Sequence, residues 1–349
     1  MPWDEALVNS LVYDRTDPGE GRVASYAQAV NEALALALEH DPSVFVMGQG
    51  VDDPSAMFGT TRGLQARFGR QRVFDTPLSE EAMMGVATGA AMNGMRPVFM
   101  HNRPDFVLLA FNQLVTHAAK AHFMDNGQTT VPLVVWAAIG RGWGSGAQHS
   151  QAIQGLLLGV PGLKIVMPST PADAKGLLVS AILDNNPVCV FEHRWLMKKD
   201  GVVPAGLYRV PIGKGIYRRR GGDVTIAGAS HAIELGLQAA TRLAAEGIEA
   251  EVIDLRTIKP LDEAILLESL QKTGRIVAVD TAWMKGGVCA EIGCLAAEKG
   301  YASLKAPVAR VGLPDVPTPA GYALEQFYYP DAARIASAAR ALVVGGAAR

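Results

Sequence analysis

Two stretches of the chain carry side chains suited to proton transfer. In Asp75-Thr76-Pro77-Leu78-Ser79-Glu80 a carboxyl arrives where a helical pattern begins. In Gly140-Arg141-Gly142-Trp143-Gly144-Ser145-Gly146-Ala147-Gln148-His149-Ser150-Gln151 a histidine follows a glycine-rich loop. Carboxyl and imidazole groups are the usual general acids and bases near neutral pH. Taken singly, each has an ordinary alternative: a first-turn Glu commonly complements the helix dipole, and a lone His is commonly a satisfied structural one.

Other chemistries lack their signatures. No GxGxxG follows a strand and no GxxxxGK[ST] occurs, so nicotinamide and nucleoside triphosphate lose ground. Gly144-Ser145-Gly146 is followed by Ala147 rather than by the nucleophile-elbow pattern, which argues against a serine hydrolase.

The elements that must position these residues read as α/β. At 349 residues the chain exceeds what one core usually serves, so two domains are expected. Hydrophobic residues make up 49% and charged ones 19%, which places the chain among folded globular proteins. A net charge of −2 gives no field to draw nucleic acid or an anionic membrane. Arg218, Arg219 and Arg220 form the sole basic run, read as a solvated linker. Cys189, Cys289 and Cys294 show no CxxC spacing and read as core thiols. With no signal-like opening and no apolar run of bilayer length, a cytoplasmic protein is expected.

Ser25 suits the N-cap of a helix over Tyr26 to Glu39. Continuous apolar runs then alternate with helical patterns: Val44 to Met47, Pro97 to Met100, Pro132 to Ala137, Leu163 to Met167 and Val188 to Phe191. Such strands belong to parallel sheets covered on both faces. The pattern lapses after Met197 and restarts at Asp223, so the expected organisation is an N-terminal arm (1–22), a first domain (23–200), a linker (201–222) and a smaller second domain (223–349). The helix Glu80 to Asn93 holds Gly85, Ala87, Gly89, Ala90 and Ala91, small residues that fit a crowded packing position or a subunit interface.

Six ordered motifs support a family resemblance: the Asp75–Glu80 run, Gln148-His149-Ser150-Gln151, Pro161-Gly162-Leu163-Lys164, Asp173-Ala174-Lys175-Gly176-Leu177, Asp184-Asn185-Asn186-Pro187 and Asp254-Leu255-Arg256-Thr257-Ile258-Lys259-Pro260-Leu261-Asp262. From about Ser25 to about Ala341 the chain resembles the β subunit of the thiamin-dependent first component of pyruvate and branched-chain 2-oxo-acid dehydrogenases. The resemblance implies a thiamin-diphosphate-binding (pyrimidine) fold followed by a transketolase C-terminal-like domain. It makes Glu80 the carboxyl on the pyrimidine nitrogen, Leu78 and Phe106 ring contacts, and Gln49 a residue at the cofactor. His149 becomes the histidine that orients the substrate carboxylate or protonates the lipoyl sulfur. Backbone carbonyls of Leu133, Ala181, Asp184 and Asn186 fall where the family holds a structural potassium ion.

In that family a Gly-Asp-Gly motif holds the diphosphate through magnesium, and none occurs here. The resemblance therefore implies a partner α chain carrying that half of the site, an α2β2 assembly, and a lipoyl-bearing acyltransferase as acceptor. Gln49 stands where an acid is common, which leaves the proton communication attributed to that acid without its carboxyl. Arg103, Arg141 and Arg194 fall in stretches that approach the cavity in the family; arginine pairs well with carboxylate or phosphate, so they suit an anionic or polyhydroxylated substrate, with ordinary surface or ion-pair roles as the equal alternative. A two-chain transketolase-like enzyme and a non-catalytic scaffold are the alternatives; the run His149-Ser150-Gln151, in place of a His-Gln-Pro type run, weighs against the first, and the retained Glu80 and His149 against the second.

Overall fold

The computed structural model describes residues 12–16, 19–53 and 57–345; most of the expected N-terminal arm and the last four residues lie outside them. The chain divides into two compact units, Met1–Ile139 with Gly159–Ile212, and Gly140–Leu158 with Gly213–Arg349.

The first unit begins with a short ribbon in which β1 (Arg22–Ser25) pairs antiparallel with β8 (Asp200–Val203). Ser25 then caps α1 (Tyr26–His40), and the reciprocal contact from Gln28 completes a capping box. Strands β2 (Val44–Gly48), β3 (Val73–Asp75), β4 (Arg96–His101), β5 (Val134–Ile139), β6 (Lys164–Val166) and β7 (Val188–His193) follow. They form a sheet in the order β6-β7-β5-β4-β2-β3, with every one of these pairs parallel. The intervening helices are α2 (Leu64–Phe68), α3 (Glu80–Met92), α4 (Ala119–Met124) and α6 (Pro171–Leu183). Nearly every strand residue is buried because helices cover both faces, so the strands read as unbroken apolar runs.

The core of this unit joins Val30, Leu34 and Leu38 of α1 to Leu177, Leu178 and Ile182 of α6 and to Val46, Val98, Val134 and Val190 of the sheet. Pro171 and the Thr170 cap start α6. Inside it, buried Lys175 donates to Glu32 at 3.0 Å and to the carbonyl of Pro204 at 2.8 Å. The Asp173–Leu177 motif thus serves packing in this unit.

The second unit holds β9 (Ile216–Arg219), β10 (Val224–Gly228), β11 (Ala250–Asp254), a short β12 (Thr257–Lys259), β13 (Ile276–Trp283) and β14 (Ala309–Leu313). Its sheet runs β14-β13-β10-β11-β9, parallel except for β9 at the edge. Helices α5 (Gln154–Leu158), α7 (His231–Ala244), α8 (Glu263–Thr273), α9 (Val288–Glu298), α10 (Tyr322–Tyr328) and α11 (Ala332–Gly345) complete it. Ile226, Val252, Val277 and Val279 pack with α7 and α11.

Two readings need correction. The run Arg218–Arg220 is not all solvated linker: Arg218 lies in β9 and pairs with Asp254 at 2.9 Å, both side chains buried. An edge strand with one wet face carries no continuous apolar signal, which is why it read as a connection. Cys189 and Cys289 are buried, but Cys294 is exposed and contacts Glu298 on the outer face of α9. Among the described residues no helix is long and apolar enough to cross a membrane.

Candidate active site

The first unit gathers six of the candidate residues at one end of its sheet. Gln49 follows the last residue of β2, Leu78 and Glu80 follow β3, Arg103 and Phe106 follow β4, and Arg194 follows β7. The carboxyl ends of parallel strands are where ligands bind in open α/β sheets.

Their positions follow from local forces. Gly48 ends β2 at φ +148°, where a Cβ would lie 2.2 Å from the carbonyl oxygen of Met100, so only glycine allows β2 and β4 to close up there. The turn after it is held by Asp75, whose carboxylate accepts from the amides of Val51 at 2.6 Å and Gly50 at 3.1 Å. Gln49 is thereby pinned and donates from Nε2 to the carbonyl of Pro77 at 3.3 Å. The same turn receives Thr76, whose amide donates to Gly48 at 2.8 Å, and Pro77 then leads into α3.

Glu80 opens α3 half-buried. Leu78 beside it is 82% exposed, a large apolar side chain that the described residues leave open. Glu81 projects elsewhere and accepts from Asn112 at 3.4 Å. The helix packs on the turns Pro104–Ala110 and Asn112–Ala118, which carry Phe106, itself half-buried. Behind this end lie buried groups. Burial lowers the pKa of His101 to about 3, so its imidazole is neutral, and its ring meets Phe99 at 4.2 Å. Burial raises Glu192 to about 8.

His149 belongs to the segment Gly140–Leu158 of the second unit. Trp143, Gly144 and Gly146 take left-handed backbone there, at φ +57°, +65° and +63°. The Ser145 hydroxyl closes the turn by donating to the Gly142 carbonyl at 2.6 Å. The His149 side chain is exposed.

Each of the three candidate arginines has company inside its own unit. Arg141 donates to Glu325 at 2.7 Å and lies 5.5 Å from the centre of the Tyr329 ring. Arg194 is buried, 5.6 Å from the centre of the Phe58 ring. Burial lowers the pKa of Arg103 while neighbouring Asp105 pulls it back up. Around the last turn of α6, Arg96 donates to the carbonyls of Ile182 at 2.8 Å and Asp184 at 3.1 Å, and the Leu133 carbonyl accepts from Val188 at 3.0 Å. A positive charge therefore already serves part of the carbonyl set expected for potassium.

Sequence reasoning missed Asp75, Glu192, Gln154, Asp280 and Glu325. Asp75 stood inside a quoted motif and its extra role was open to notice. The others have partners far along the chain, and no local spacing marks them.

Comparison with known proteins decides the family. Residues 22–199 match the transketolase pyrimidine-binding domain and residues 213–335 the transketolase C-terminal domain. The chain is 42% identical over 335 residues to the acetoin:2,6-dichlorophenolindophenol oxidoreductase β subunit of Cupriavidus necator, covering 93% of this chain and 99% of that one. It is 40% identical to the 2-oxoisovalerate dehydrogenase β subunit of Bacillus subtilis, over 92% of this chain and 98% of that one. It is 37% identical to a mitochondrial pyruvate dehydrogenase E1 β subunit of Arabidopsis thaliana, over 95% of this chain and 92% of that one. The chain belongs to the 2-oxo-acid dehydrogenase β-subunit family.

Among solved structures, this β subunit shares its fold with a split-gene transketolase described as an inactive β4 tetramer, at TM-score 0.73 and 23% identity over 93% of this chain and 99% of that one. Thiamin diphosphate is the cofactor expected of the family. The residues of this β subunit fit the ring end of such a cofactor: an uncovered aliphatic side chain at Leu78, a carboxyl at Glu80 and an aromatic at Phe106 share one sheet end.

Proposed function

We propose that this β subunit works with an α chain, in an α2β2 assembly, to decarboxylate a 2-oxo acid and pass the acyl group to the lipoyl group of an acyltransferase. The observation that carries the reading is the pairing of exposed Leu78 with half-buried Glu80 at the carboxyl end of a pyrimidine-domain sheet. An apolar side chain and a carboxyl presented together suit a heteroaromatic ring that needs one face covered and one nitrogen held.

Bound thiamin diphosphate supplies the electron sink that decarboxylation requires. On this chain Glu80 would hold a proton against the ring nitrogen, and Leu78 and Phe106 would flank the ring. The amide of Gln49, tied to the Pro77 carbonyl, would stiffen the turn beneath. His149 would protonate the departing lipoyl sulfur or orient the substrate carboxylate, and its exposure suits a group that must meet an incoming carrier. With no Gly-Asp-Gly run in this chain, the diphosphate and its magnesium ion are assigned to the α partner. A potassium ion near Leu133, Ala181, Asp184 and Asn186 would share that turn with Arg96 and steady the fold. A substrate role for Arg103, Arg141 or Arg194 would require exchanging a present neighbour for the substrate.

The test is to purify the chain with whatever polypeptide accompanies it. That pair is then assayed with pyruvate, 2-oxoisovalerate and acetoin, the compounds in the relatives' names, and with xylulose 5-phosphate. Carbon dioxide release from a 2-oxo acid supports the reading, whereas turnover of xylulose 5-phosphate alone would favour a transketolase. Glu80→Gln should abolish turnover and leave the assembly intact. Full activity in that variant sinks the assignment of Glu80.

A further inference from the structure

Little of the segment Gly140–Leu158 is regular, so contacts rather than secondary structure must set where His149 lies. Three polar anchors inside the second unit hold it. At its start, Arg141 donates to buried Glu325 at 2.7 Å. At its end, the ammonium of Lys259 donates to the carbonyl of Leu158. Between them Gln154, fully buried at the head of α5, donates from Nε2 to Asp280 Oδ1 at 3.2 Å.

Asp280 is an unusual residue for the inside of a central strand. Val277 and Val279 of β13 face the cluster of α7 and α11, so alternation turns Asp280 to the opposite face, where α5 and α9 pack. The Cys289 thiol of α9 lies close enough to feel the Asp280 charge. Among the described residues Gln154 Oε1 and Asp280 Oδ2 are buried without a hydrogen-bond partner, although the backbone amides of Thr281 and Ala282 also support the Asp280 carboxylate. Leaving such atoms unsatisfied costs more than one hydrogen bond returns. Apolar residues would hold α5 more firmly. What the polar pair adds is direction, since an amide must face its acceptor in one orientation. The next residue reinforces the register: a Cβ on Gly155 would come within 3.1 Å of the Gly286 carbonyl oxygen and 3.2 Å of Gly287 Cα.

We propose that Gln154 and Asp280 are positioning residues that hold the His149-bearing segment against β13, so that the imidazole is presented to the lipoyl carrier in one place. The inference rests on the reading of His149 as a participant in acyl transfer. It also gives Arg141 and Glu325 a shared task, anchoring the other end of the same segment.

The experiment uses the chain purified with its partner, as Gln154→Leu, Asp280→Leu, the double variant and Asp280→Asn, with His149→Ala for reference. Turnover is followed with lipoamide as acceptor and, separately, with the dye 2,6-dichlorophenolindophenol, which bypasses acyl transfer. The rate of tryptic cleavage after Arg141 reports the segment itself. The leucine variants should lose lipoamide turnover by roughly 10- to 100-fold, the scale expected of a small misplacement of a reacting group. Dye reduction should be largely kept, and the double variant should be no worse than the poorer single one. Asp280→Asn keeps an acceptor oxygen for Gln154 and should retain turnover. Cleavage after Arg141 should quicken in the leucine variants alone.

Where His149→Ala lowers lipoamide turnover, unchanged lipoamide turnover in the leucine variants overturns the proposal, and so does dye reduction falling in step. Where His149→Ala has no effect, the reading of His149 is what fails. The anchoring claim then stands or falls on the tryptic rate, and an unchanged rate defeats it.

Discussion

The Arg218 guanidinium holds one oxygen of the Asp254 carboxylate through two of its nitrogens, at 3.0 Å and 2.9 Å, with both side chains buried at the edge of the second sheet. The other Asp254 oxygen accepts from the amide of Arg256 at 3.1 Å. Removing one partner of a buried ion pair leaves the other charge without compensation, so Arg218→Ala should cost about 3–5 kcal/mol. Urea unfolding of the second unit's signal checks this, and a loss below ~1 kcal/mol, the range of an exposed pair, would show the pair to be solvated.

Leu78 separates folding from function. Because the side chain is 82% exposed, Leu78→Asp should change the stability of the free chain by no more than about 0.5 kcal/mol. In the assembly the same change should weaken thiamin diphosphate binding by roughly 10- to 100-fold, the equivalent of losing one buried aliphatic contact. A cofactor titration of the heteromer, beside a melting curve of the chain alone, would expose an error in either half.

Glu192 predicts a pH dependence with a definite sign. Burial raises its pKa from 4.5 to about 8, and Trp136 and Tyr26 offset only part of that. The folded chain therefore keeps a proton that the unfolded chain releases, and stability falls as pH rises between these two values. Asp280, raised by burial to about 7, acts in the same direction up to that pH. The slope from one such group approaches ~1.4 kcal/mol per pH unit. Glu192→Gln should flatten the fall between about pH 5 and pH 8 in denaturant titrations; a variant as steep as the parent would place the lost proton elsewhere.

Gly176 fits only because it has no side chain. A Cβ there would lie 2.5 Å from Val210 Cγ2 and 2.8 Å from the Tyr208 ring. Gly176→Ala should therefore destabilise the first unit by about 1–3 kcal/mol despite alanine's better helix propensity. A raised melting temperature would mean that Tyr208 can swing aside.

The chain's linear order already contained its two α/β units, most strand and helix positions, and the run Asp75–Glu80 that opens α3 at the end of β3. Those features are local: an apolar run closed by a turn, a cap such as Ser25, a proline at the head of α6, and a carboxyl within one turn of its helix start all lie within a few residues of each other. What could not be read this way depends on residues distant in sequence and adjacent in space. Glu325 stands beside Arg141 only because the chain folds back, and β13 alone brings Asp280 to the Gln154 amide. Arg218 passed for linker because its partner sits in a strand one helix further on. Burial and charge compensation arise only when strands pair and helices close over them, so the residues that steady the chemistry stay hidden until the chain is folded.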